Sequence, residues 1–151
     1  MTRNLLVSTC LALMVGGCAS SAPPGSAPAS TPPLEGTAWE LVELQSMDDA
    51  QGIRRPEIGA QYRLQFGADG RLSAQLDCNR GMGPWKADPS GGLRLGPLAT
   101  TRALCPPSSL GGTVAMQLDS VRSYLVRDGK LNLSLMADGG IMVWKPAAAP
   151  R

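Results

Sequence analysis

The 151-residue chain has no histidine, one phenylalanine and only 4% aromatic residues. Lack of histidine excludes the Ser–His and Cys–His nucleophile systems and removes a common zinc ligand. A carboxylate pair remains available in principle. However, Asp69, Asp88, Asp128 and Asp138 all lie in turn contexts, where aspartate serves the backbone. The expectation is a protein that is not an enzyme and uses no cofactor or metal. Apolar runs are also short, and none reaches the ~20 residues of a membrane-spanning helix. Charge of one sign is missing too: Lys and Arg total 14 against 12 Asp and Glu. With no basic block there is no electrostatic case for nucleic acid. No solenoid-type repeat is present.

Four cysteines are present, each in a different context. Cys10 lies in an apolar stretch, residues 5–15, that follows Arg3. That length suits a signal-peptide core. Gly16 and Gly17 then precede Cys18, and Val15-Gly16-Gly17-Cys18 resembles the bacterial lipobox. On this reading residues 1–17 are a lipoprotein signal peptide and Cys18 carries the lipid. An ordinary secretory signal is the alternative. A diacylglyceryl group plus an N-acyl chain exceeds the two-chain condition for stable membrane attachment. Ala19 and Ser20, with no Asp after the cysteine, resemble outer-membrane sorting, which leaves the domain in the periplasm.

Residues 19–33 contain only Ala, Ser, Pro, Gly and Thr, too little apolar surface for a core. With Cys18 they form an expected disordered tether. Residues 34–146 are long enough for one domain, and residues 147–151 are an expected frayed tail.

Within the domain, Trp39 and Leu41 share an alternating face. Tyr62, Leu64 and Phe66 alternate with Arg63 and Gln65, then Asp69-Gly70 turns the chain into Leu72, Ala74 and Leu76. This is the clearest hairpin signal in the sequence. Shorter strands are expected at 84–87, 92–95 and 98–100. Leu110, Val114, Leu118, Val121 and Leu125 have helical spacing, with Ser108 or Ser109 as N-cap and Asp128-Gly129 as the stop. Gly111 and Gly112 weaken its first turn. A second hairpin pairs Leu131, Leu133 and Leu135 with residues 141–145. The predicted class is α+β: a strongly curved antiparallel sheet, or partly open barrel, with one helix packed against it.

Cys78 and Cys105 remain for the folded part. An exported protein reaches an oxidising compartment, so a disulfide is the default. Free thiols and a metal site are the alternatives, the latter disfavoured without histidine or a CxxC pair. Asn79 and Arg80 follow the first cysteine, and Thr101 and Arg102 precede the second. A structural role is favoured for all four, with Arg102 able to pair with Asp77.

Trp39-Glu40-Leu41, Tyr62-Arg63-Leu64-Gln65-Phe66, Asp69-Gly70-Arg71-Leu72, Cys78-Asn79-Arg80-Gly81, the run of residues 93–105 and Gly129-Lys130-Leu131-Asn132-Leu133 together resemble the META domain, the family of HslJ-like bacterial lipoproteins. Gly81-Met82-Gly83 departs from the family's usual turn, and Gly111-Gly112 from its usual acidic residues. The resemblance implies a curved sheet with one helix, similar to lipoproteins that pilot secretins. It further implies an envelope location, no established catalytic residues, and a link to stress response and antibiotic resistance. Two binding readings follow. Trp39, Tyr62, Leu64, Phe66, Leu76 and Leu133 could line a half-barrel that holds a lipid or other apolar ligand; simple core packing is the alternative. Otherwise the domain is a module for an envelope protein partner, with Met82, Trp85 and Trp144 as surface contacts.

Overall fold

The computed structural model describes residues 33–48 and 52–148. The expected signal peptide, Cys10, Cys18 and the tether through residue 32 lie outside the described residues, as do residues 149–151. Among the described residues no helix is long and apolar enough to cross a membrane.

The strands in chain order are β1 (Ala38–Gln45), β2 (Ile53–Arg54), β3 (Tyr62–Phe66), β4 (Arg71–Leu76), β5 (Asn79–Ala87), β6 (Leu93–Leu95) and β7 (Ala99–Thr100). The helix α1 (Gly111–Asp119) follows, then β8 (Val121–Arg127), β9 (Lys130–Leu135) and β10 (Ile141–Pro146). All pairings are antiparallel, in the order β6-β5-β4-β3-β1-β10-β9-β8, with β2 added to β1 and β7 to β5. The two ends of this path meet at a Gly92–Ser123 bridge. The sheet is therefore a nearly closed barrel with one helix, in agreement with the expected class.

Alternation builds the interior. On β3 and β4, Tyr62, Leu64, Phe66, Leu72, Ala74 and Leu76 are all at most 3% exposed. The turn between them has Gly70 at φ 73°, and Asp69 Oδ1 accepts the Arg71 N–H at 3.1 Å. Leu131 and Leu133 face the same interior from β9, and Met142 and Trp144 from β10. Val143, on the opposite face of β10, is covered as well. The β9–β10 connection is a 3-10 turn, Met136–Asp138, closed by Gly140 at φ 121°. A Cβ there would run into the Gln45 carbonyl, so this position requires glycine.

The structure corrects several expectations. The helix ends at Asp119, and Val121 and Leu125 belong to β8. A register shift between Val121 and Ser123 puts Val121 and Tyr124 inward although they are three residues apart. The step of three that imitates a helix in the sequence is Leu118 to Val121, across the end of α1, and Leu125 is 50% exposed. Asp128 and Gly129, both at positive φ, form the two-residue turn of a β8–β9 hairpin rather than a helix stop. β5 begins at Asn79, not near residue 84, so Gly81-Met82-Gly83 is strand. Gly81 and Gly83 are buried because the chain at Pro97–Thr100 passes close by: a Cβ on Gly83 would lie 2.7 Å from the Pro97 carbonyl. The tail is held further than expected. Ala147 N–H donates to Ala38 O at 2.9 Å, and Arg63 donates to Ala148 O at 3.0 Å.

Helix α1 buries Gly111, Val114 and Leu118 against the barrel. Its N-cap is Leu110, not Ser108 or Ser109, although the Ser109 hydroxyl accepts the Gly111 N–H at 3.2 Å. The Leu110 N–H donates to the Tyr62 hydroxyl at 2.7 Å. Thus Tyr62 pins the start of the helix to β3. The two helical glycines differ sharply. A Cβ on Gly111 would come 2.7 Å from the Leu76 carbonyl, whereas nothing lies within 4 Å of one on Gly112. Gly112→Ala is expected to raise stability in urea unfolding by up to ~1 kcal/mol. Gly111→Ala should lower it despite the same gain in helix propensity. Equal and positive effects would show that α1 does not pack as closely on β4 as described.

Candidate functional site

The six residues expected to line a cavity do come together. Trp39, Tyr62, Leu64, Phe66, Leu76 and Leu133 are between 0% and 7% exposed and share one core cluster. They meet one another and Leu72, Leu93, Leu118, Leu131 and Trp144 as a packed interior. Tyr62 also borders a surface cleft, beside Glu40, Ala60 and Arg63. Trp39 Nε1 is satisfied by the Thr37 hydroxyl at 2.7 Å. The Trp144 indole N–H has no partner among the described residues.

The expected surface trio does not form a patch. Trp144 is fully buried. Met82 points outward from β5 and is 45% exposed. Trp85 is half-buried on the inner side, its ring edge-on to Phe66 at 5.1 Å and its Nε1 donating to Gly67 O at 3.2 Å.

Cys78 and Cys105 are joined by a disulfide, with Cα atoms 5.6 Å apart. Asp77 (φ 62°) and Cys78 make the tight turn between β4 and β5 that delivers the first sulfur. Asn79 completes a polar knot around the bridge. Its Oδ1 accepts the Ala103 N–H at 2.7 Å and the Thr101 hydroxyl at 2.8 Å. Its Nδ2 donates to Ala103 O and approaches Cys105 Sγ, both at 3.1 Å. Thr101 in turn exchanges hydrogen bonds with the Arg80 backbone through Oγ1 at 3.0 Å and N–H at 2.9 Å. Asn79 and Thr101 are therefore structural, as expected, and they order the loop after β7. The anticipated Arg102–Asp77 ion pair is not among those of the described residues.

Two surface regions remain as candidates. The first is the barrel mouth, where a cleft of about 320 Å³ is walled by Pro33, Leu34, Trp85, Ala87, Pro89 and Tyr124, with Glu35 and Asp88 at its edge. The Ser90 hydroxyl, then the Gly92 N–H, hold the Asp88 carboxyl below its ordinary pKa. Burial, and secondarily Asp88, push the Tyr124 phenol up. At neutral pH the mouth therefore presents apolar rings beside the ionised Asp88 carboxylate. Tyr124 was missed in the sequence because the bulge in β8 masks its inward phase.

The second region is the outer face of β3, β4 and β5. The register aligns Arg63 with Gln75 and Gln75 with Arg80, and likewise Gln65 with Ser73 and Ser73 with Met82. Two adjoining clefts of about 290 and 240 Å³ lie over these rows and share Gln65, Ser73 and Met82 as walls.

These features define a small, nearly closed antiparallel barrel with one helix, a filled interior and a disulfide-fixed loop. The META domain profile matches residues 32–148, and the chain belongs to the META domain family. No curated protein matches it. Among solved structures, a protein from Burkholderia xenovorans determined by NMR shares the fold with a TM-score of 0.64 and 23% identity, covering 85% of this chain and 97% of that one. A crystal structure of a DUF4847 family protein from Bacteroides vulgatus has a TM-score of 0.55 and 13% identity, covering 76% and 95%. A third structure, again from NMR, has a TM-score of 0.54 and 22% identity, covering 74% and 89%. At these identities the likeness is one of fold.

Each intramolecular hydrogen bond contributes about 0.5–1.5 kcal/mol net. Asn79→Ala, which removes several at once, is expected to cost about 1–3 kcal/mol in urea unfolding. Cys78 and Cys105 should stay unreactive to thiol reagents in the native variant. Unchanged stability would remove the knot from the set of interactions that hold this loop.

Proposed function

We propose that the chain is a non-catalytic lipoprotein of the bacterial envelope, anchored at the outer membrane through Cys18, that acts as a binding module for an envelope protein partner. Envelope stress tolerance or antibiotic resistance is the setting suggested by its family. The observation that carries the choice is the filled interior beneath an open apolar mouth. A lipid-binding barrel keeps its inner volume free of side chains. Here the six residues that would line such a space pack against one another. Among the surface clefts, the mouth cleft has the apolar rings, and its volume is at the low end of the ~300–1,000 Å³ typical of ligand sites. It suits one or two apolar side chains of an extended protein segment better than an acyl chain.

Charge narrows the partner further. Glu35 is exposed at the cleft edge and has no ion-pair partner among the described residues, and Asp88 is held ionised beside it. A segment with an apolar anchor next to a Lys or Arg fits this combination, with Trp85 as the aromatic contact. Trp85 is fixed on both sides by Phe66 and Gly67, so little ordering entropy is lost on binding.

In-cell photo-crosslinking tests the reading, with the reactive group placed at Pro89 and, as control, at Asp138. A discrete envelope-protein adduct is expected from Pro89 only, reduced about tenfold or more by Glu35→Lys, as for reversal of a charge at a specific contact. Adducts of equal yield from both positions, or insensitive to Glu35→Lys, would count against the mouth as the binding site.

A further inference from the structure

The outer face of β3–β5 carries three arginines on three adjacent strands: Arg63, Arg71 and Arg80. None of them has a carboxylate partner among the described residues. Arg63 donates to the Ala148 carbonyl, Arg71 lies 3.0 Å from Met82 Sδ, and Arg80 Nε donates to Gln75 Oε1 at 3.2 Å. Two carboxylates border the face: Glu40, opposite Arg63 in register, pairs with Lys145 at 3.3 Å, and Asp69, which lines the smaller cleft with Arg71, accepts a backbone N–H in its turn. The larger of the two clefts on this face has Arg63 and Arg80 in its walls, Gln65, Ser73 and Gln75 between them, and no acidic residue.

The spacing of these cations decides what they fit. Strands lie about 4.8 Å apart and rise about 3.3 Å per residue. Arg63 and Arg80 flank Gln75 in one row, so their backbones are about 10 Å apart, and Arg71 sits about 13 Å away along β4. One small anion cannot span that triangle, but a plane of anions can meet all three corners. Exposed Met82 between them offers an apolar side chain to an interface.

We propose that this arginine face docks on the anionic phospholipid headgroups of the membrane in which the chain is anchored. The choice of membrane rests on the lipoprotein reading; the face itself does not need the lipid. Docking would hold the domain in one orientation at the bilayer. Each arginine near an anionic surface adds roughly fivefold to partitioning, and salt weakens the effect.

The test is vesicle flotation of the full exported chain carrying Cys18→Ser, so that binding reports the face and not the anchor. Vesicles contain about one third phosphatidylglycerol in phosphatidylcholine, or phosphatidylcholine alone, an anionic content that gives a negative surface potential. Binding is expected only to the anionic vesicles, weakening as salt rises. The triple variant Arg63→Gln, Arg71→Gln, Arg80→Gln should lose about a hundredfold in partitioning with an unchanged circular dichroism spectrum. The control triple Arg54→Gln, Arg127→Gln, Lys130→Gln should retain binding. Equal loss in both triples, equal binding to neutral vesicles, or no binding to anionic vesicles would overturn the proposal. Membrane fractionation of the unaltered chain against Cys18→Ser reads the anchor separately.

Discussion

At the seam of the barrel, β6 and β8 are joined by the Gly92–Ser123 bridge and by the Tyr124 N–H, which donates to Gly91 O at 2.8 Å. Two such contacts are too few to hold an eight-strand path shut, since each hydrogen bond contributes about 1 kcal/mol net. Closure depends instead on the side chains inside. Leu93 from one end of the sheet and Val121 and Tyr124 from the other pack into the same cluster as Phe66, Leu72, Leu131 and Trp144. A fully buried side chain of this size contributes about 1.5–3 kcal/mol. Removing the contents to make room for a ligand would therefore remove what closes the barrel.

The same dependence explains the polar fittings around the core. Tyr62 contributes its ring to the interior and its hydroxyl to the Leu110 N–H, which ties the helix to the sheet. The Cys78–Cys105 bridge closes a loop that, in the chain-entropy model, stabilises the fold by about 3–4 kcal/mol. Asn79 then sets the path of that loop. These residues are specific in type because each meets a fixed geometry, and that specificity is structural.

Much of this was legible in the sequence where local pattern and tertiary role agree. The β3–β4 hairpin follows from strict alternation across Asp69-Gly70, and the disulfide from the cysteine count once Cys10 and Cys18 are read as part of an export signal. The pattern misleads where a helix runs directly into a strand or where chains approach closely. Leu118 at the end of α1 and Val121 at the start of β8 continue the helical spacing across the junction, although Asp128-Gly129 was a hairpin signal. Gly81 and Gly83 do not read as strand because the crossing segment that requires them is distant in sequence. The mouth cleft and the arginine face join residues from three or more elements, and no single window of sequence contains either. Whether the six apolar residues line a space or fill it depends on the match of their volumes, which alternation does not report.

The domain thus presents a closed scaffold with its chemistry on the outside: an apolar, acid-edged mouth and a basic wall. Titration of the protein with a fluorescent acyl probe, read by energy transfer from tryptophan, tests this most directly. A filled interior predicts no saturable binding and unchanged emission from the buried Trp39 and Trp144. Stoichiometric binding that quenches those two tryptophans would mean that the barrel holds a ligand after all.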